Sequence, residues 1–135
     1  MDIHTRLTFG RRLHGTIAEV WPAVEEALRG EGFGVLTEID VQATFRAKLG
    51  AEVAPYVILG ACNPQLAHRA VTVDPSVGAL LPCNVVLRED GDDTLVEAMD
   101  PVAALGLVDT PELDAIAREA RERLERALGA LPATA

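Results

Sequence analysis

No stretch of this sequence approaches the ~20 consecutive apolar residues that a membrane-crossing helix requires, so no transmembrane helix is expected. The opening residues scatter His4, Arg6, Arg11, Arg12 and His14 among short apolar stretches, so the apolar centre of a secretory signal is missing as well. The expected compartment is the cytoplasm. Lysine is nearly absent: Lys48 stands alone beside 11 arginines, a bias that reports genomic base composition more than chemistry. Cysteine is scarce. Cys62 and Cys83 form no CxxC pair, and without an export signal both are expected to stay reduced. Gly10-Arg11-Arg12-Leu13-His14-Gly15 is not GxGxxG, which argues against a doubly wound dinucleotide fold. There is no Walker loop, HExxH motif or nucleophile elbow. Positive charge is also in deficit. A net charge of −9 and a pI near 4.7 repel phosphate, which excludes nucleic acid and anionic membranes as expected partners.

What is present suits one domain over residues 1–135, since 49% hydrophobic and 24% charged residues can build a core at this length. Ile3, Thr5, Leu7 and Phe9 alternate with polar residues, which predicts a first strand over residues 3–9. From Thr16 the period becomes helical, with Ile17, Val20, Trp21, Val24, Ala27 and Leu28 on one stripe and a capping box formed by Thr16 and Glu19. Residues 33–39 read as a strand, followed by Asp40 as the cap of a short helix bearing Val41, Phe45 and Leu49 and ending at Gly50. Residues 56–61 form an apolar run of strand length. Asn63-Pro64 then opens a helix that Asp74-Pro75 breaks. Residues 83–89 and 94–99 predict a hairpin, with Asp100-Pro101 ending its second strand. A long amphipathic helix starts at Thr110-Pro111. The order β-α-β-α-β-α-β-β-α predicts an α+β fold, an antiparallel or mixed sheet of about five strands with helices packed on one face.

Chemistry is expected first at Cys62, a thiol just before a helix N-terminus, where exposed amides can favour a thiolate nucleophile; the alternative is a small apolar filler at the end of a buried strand. Cys83-Asn84 repeats the pair Cys62-Asn63, so Cys83 is a candidate resolving thiol, and Asn63 and Asn84 are candidate ligand-binding amides. His68 is a candidate base on the same helix. Cys62, Cys83 and His68 could also hold zinc or copper, although their spacing matches no strong metal motif, and no metal is assigned. Asp40 has local work as a cap and could also line a pocket.

The phrases GFGVLTEIDV at 32–41, KLG at 48–50, YVILGACNPQLAHRAV at 56–71 and LLPCNVVLRE at 80–89 closely resemble the family called domain of unknown function 302. The likeness runs from about residue 17 to 102, and both Cys-Asn pairs and His68 fall inside it. The segment MDPVAALGL at 99–107 departs from the family pattern, which carries a methionine nearer the middle. The resemblance implies an antiparallel sheet with packed helices, related to a single copy of the TATA-binding-protein-like fold, and a homodimer. It names no reaction and no cofactor. The expected function is therefore binding of a small molecule or a partner, with thiol-dependent redox or sulfur-transfer chemistry at Cys62 and Cys83, or metal binding by the same residues, as alternatives.

Overall fold

A computed structural model describes residues 1–132. Its centre is a six-stranded antiparallel sheet in the order β1-β2-β6-β5-β4-β3, made of β1 (Ile3–His4), β2 (Thr8–His14), β3 (Gly34–Asp40), β4 (Tyr56–Cys62), β5 (Cys83–Asp90) and β6 (Asp93–Met99). The helices are α1 (Ile17–Gly30), α2 (Val41–Leu49), α3 (Pro64–Val73), α4 (Pro101–Leu105) and α5 (Pro111–Gly129), with a 3₁₀ turn at Pro75–Leu80. The α+β architecture expected from the sequence is present. Among the described residues, no helix is long and apolar enough to cross a membrane.

The first strand differs from its prediction. Thr5 folds the chain back: its Oγ1 accepts hydrogen bonds from the Leu7 and Thr8 amides, and its own amide donates to the Thr8 carbonyl at 2.8 Å. The alternating run is thus split into a two-residue strand and a longer one, Leu7 is left exposed, and Phe9 and Leu13 become the core residues of β2. The helix caps follow the sequence closely. Thr16 and Glu19 form the reciprocal capping box, and Asp40, Asn63 and Thr110 cap α2, α3 and α5 with their side chains. Asp100-Pro101, expected only to end a strand, is a cap and first residue of the same kind and starts α4.

Alternation along the strands sorts the sheet into two faces. Leu59 and Ala61 of β4, Val85 and Leu87 of β5, Val96 and Ala98 of β6, and Phe9 and Leu13 of β2 lie on the inner face. They pack beneath Val20, Val24 and Leu28 of α1 and Leu124 and Leu128 of α5. Full burial of each such side chain is worth roughly 1.5–3 kcal/mol, so this layer dominates stability. A second apolar cluster joins α3, α4 and α5 through Leu66, Ala70, Leu105, Leu113, Ile116 and Ala120, beyond the sheet end where β4 stops and β5 starts.

The outer face is different. Tyr56 and Ile58 point there and meet Val41 and Phe45 of α2, so α2 lies on the side opposite α1 and α5. No side chain of α2 is buried.

Candidate functional site at the strand ends

The candidate site forms where β4, β5 and β6 end against α3, α4 and α5. Cys62 closes β4, Asn63 turns the chain, and Pro64 starts α3, because a capping side chain followed by a residue that needs no amide partner favours a helix there. Asn63 is buried, with both ends of its side-chain amide hydrogen-bonded. Its Oδ1 accepts from the Leu66 amide at 3.2 Å and its Nδ2 donates to the Glu31 carbonyl at 3.4 Å, which ties α3 to the turn after α1. That turn needs Gly32: φ is +84°, and a Cβ there would stand 2.9 Å from the Asn63 amide nitrogen.

Between these elements lies an apolar cavity with about 30 Å³ of free space. Phe33, Leu66, Leu81, Met99, Leu105 and Ile116 supply much of its wall, and Cys62 and Cys83 also line it. Leu81 and Pro82, joined by a cis peptide bond, carry the chain from the 3₁₀ turn into β5. An apolar cavity of this size admits two or three water-sized atoms at most and has no polar partners to hold water.

Both cysteines are free thiols, each partly buried. Ala61, not Cys62, pairs with Cys83 across the β4–β5 ladder, so alternation starts the two side chains toward opposite sides of the sheet end. Burial pushes both thiols upward: Cys62 rises from the ordinary range, and Cys83 is pushed up to about 11 by burial and, secondarily, by Cys62. The amides at the start of α3 were expected to favour a thiolate at Cys62; loss of water around the sulfur acts in the opposite direction at both residues and favours the neutral thiol.

The other sequence candidates do not converge on this cavity. His68 is exposed on the outer side of α3, beside Arg69, Thr72 and Glu112 in a separate open hollow, because its position on the helix turns it away from Leu66 and Ala70. It is not placed as a base for Cys62, nor as a third ligand with the two cysteines. Asn84 is exposed beside Gly60 in the ladder, so the two asparagines share no site. Asp40 lies at the far end of β3, six residues and about 20 Å of strand from Gly34, the partner of Cys62. Among the described residues, no group of three His, Cys, Asp or Glu side chains is arranged to hold a metal.

Residues 9–131 match the family described as domain of unknown function DUF302. The chain belongs to the DUF302 family. A solved crystal structure, that of an uncharacterized conserved DUF302 protein from Bacillus stearothermophilus, is 32% identical, with a TM-score of 0.84 over 90% of this chain and 95% of that one. No curated protein matches the chain. The family match extends beyond the likeness seen in the sequence at both ends and takes in α5, whose Ile116 and Ala120 form part of the cavity wall.

Among the cavity residues missed by sequence reasoning are Phe33, Met99, Leu105 and Ile116. Each sits in an apolar pattern that reads as core. The one local signal was Asp100-Pro101, whose resemblance to Asn63-Pro64 marks a helix start that brings Leu105 over the strand ends.

Proposed function

We propose that this DUF302 chain is a noncatalytic binding domain that holds a small apolar ligand, or the apolar end of a larger one, at the strand ends beside Cys62 and Cys83. The observation that carries the reading is the cavity itself: an apolar space bounded by the segments that give the chain its family likeness, 56–71 and 80–89. Ligand sites are commonly concave and largely apolar. At about 30 Å³ the free space suits a group of a few heavy atoms, and a larger ligand requires outward movement of the half-buried wall at Leu80, Leu81 and Pro82.

Neutral thiols fit this role as soft, polarizable wall atoms. Thermal denaturation across a library of small apolar and amphipathic metabolites tests the reading. A true ligand at 100 times its Kd adds about 2.7 kcal/mol of stability, and Leu66→Phe, which fills the cavity, abolishes that gain. A library that stabilises nothing, or a ligand whose effect survives Leu66→Phe, contradicts it. Thiol chemistry is the second reading, favoured by both cysteines lining one cavity. Its measure is the alkylation rate of each cysteine between pH 4 and 10: rapid modification of Cys62 well below pH 8 supports a thiolate, and inertness until unfolding rejects it.

A further inference from the structure

Strand β3 is interrupted once, and the interruption decides which side chain meets the cavity wall. Val35 pairs with Ala61 and Thr37 with Gly60, so Leu36 is the extra residue of a bulge. In unbroken register Leu36 would oppose Gly60, and Thr37 would turn to the inner face. The bulge instead sets Thr37 on the outer face, directly across from the glycine. Bulges re-aim side chains in this way and are common beside functional sites. The space that Gly60 leaves free is used. A Cβ there would collide with the Thr37 Oγ1 and stand 2.9 Å from the Pro82 Cγ, so the hydroxyl and the ring both lie over the strand. Pro82 also lines the apolar cavity, as does Cys62, the next residue of β4 on this face. The seam between Thr37 and Pro82 is thus where the half-buried cavity wall reaches the outer surface of the sheet.

The surroundings of Gly60 define what can sit there. On its other flank β5 places Asn84, outside the cavity. Thr37 and Asn84 are both exposed, and neither side chain makes a hydrogen bond among the described residues. The adjoining outer-face positions are Ile39, Ile58 and Val86, all uncharged. The carboxylate beside Val86, that of Glu97, is engaged by Arg88 and Thr8. The seam therefore offers a hydroxyl and a primary amide next to an apolar space, with no free charge. A few polar groups placed around apolar space are what orient a small ligand. A net charge of −9 further disfavours an anionic head.

We propose that the ligand is an uncharged amphiphile, a linear alcohol or primary amide being the simplest. Its apolar tail enters the cavity over Gly60 by outward movement of Pro82, and Thr37 and Asn84 hold its head by hydrogen bonds. The proposal rests on the cavity being the binding site and adds the mouth, the head group and its charge. Chemical-shift titration of the intact protein at neutral pH with n-hexanol, hexanoate, n-hexylamine and n-hexyl chloride tests it. Hexanol binds, and the two charged compounds bind about tenfold more weakly or less. Leu66→Phe abolishes binding of both hexanol and hexyl chloride. Thr37→Val keeps the shape without the hydroxyl and weakens hexanol about fivefold, as does Asn84→Ala. Thr37→Ser retains the wild-type affinity, and hexyl chloride binds all three variants as it binds the wild type. Far-UV circular dichroism is unchanged in each, since both positions are exposed. If neither hexanol nor hexyl chloride binds, the cavity reading and this proposal fall together. If both bind and are lost in Leu66→Phe, yet hexanol is indifferent to Thr37→Val and Asn84→Ala, the cavity reading stands and the head-group assignment is overturned. Hexanoate binding as tightly as hexanol overturns it as well.

Discussion

The two faces of the sheet are built from the same strands and finished differently. On the inner face, Leu59, Val85, Leu87 and Val96 are wholly buried beneath α1 and α5, and alternation, helix stripe and core agree. On the outer face, Glu97 lies nearly buried between Arg88, whose Nε donates to it at 2.7 Å, and Thr8, whose hydroxyl donates at 2.9 Å, while Ile39 of β3, three strands away, and Phe45 and Leu49 of α2 stand in the open. The difference teaches that an apolar strand does not by itself say what covers it. One face is completed within the chain; the other is polar at its centre and unfinished at its β3 end.

Truncation should expose that contrast most strongly. Leu87→Ala removes a side chain with no exposed surface and is expected to cost about 2–5 kcal/mol in urea denaturation, whereas Leu49→Ala stays within about 0.5 kcal/mol for the single chain. Equal losses at the two positions would break the comparison.

A smaller effect separates the thiols. Cys83 continues the inner-face series of Val85 and Leu87, and its pKa is raised from 9.0 to about 11 in the folded state. A raised pKa means that the native state keeps the proton longer than the unfolded chain. The stabilisation is therefore complete below pH 9 and lost as pH climbs from 9 to 11, a fall of about 2–3 kcal/mol by linkage. Subtracting the pH profile of Cys83→Ala from that of the wild type isolates this fall, and parallel profiles would refute it. Cys62→Ala shifts the profile in the same direction, since burial raises its thiol as well.

The smallest expected change is on the outer face. Arg88→Ala leaves Glu97 with one hydroxyl donor in a nearly buried position and is expected to cost about 1 kcal/mol, a figure reduced from that of a buried charge pair because the Arg88 side chain is 41% exposed. Raising salt should change the wild type and this variant unequally. No dependence on either would remove the polar chain from the account.

Much of the inner architecture was legible because it rests on local rules. Thr16 with Glu19, Asn63 with Pro64, and Thr110 with Pro111 each announce a helix by satisfying orphan amides, and Asp90-Gly91-Asp92-Asp93 announces the hairpin, with Gly91 at φ +63°. The turn at Thr5 was hidden because a threonine closing a turn and a threonine in a strand occupy the same place in an alternating pattern. The candidate cavity was legible only in outline. Cys62, Cys83 and Asn63 each line it, the two thiols starting toward opposite sides of the sheet end, whereas His68, Asn84 and Asp40 lie outside it, because convergence depends on register and helix phase rather than on proximity along the chain. Met99 and Ile116 reach the same cavity from strand and helix ends far along the chain, which no spacing rule connects.

Hydrogen exchange followed by mass spectrometry tests the central contrast most directly. If the inner face is completed within the chain while α2 lies loosely on the outer one, the amides of residues 111–129 exchange far more slowly than those of residues 41–49. Equal protection of the two segments, or slower exchange in residues 41–49, would contradict the account.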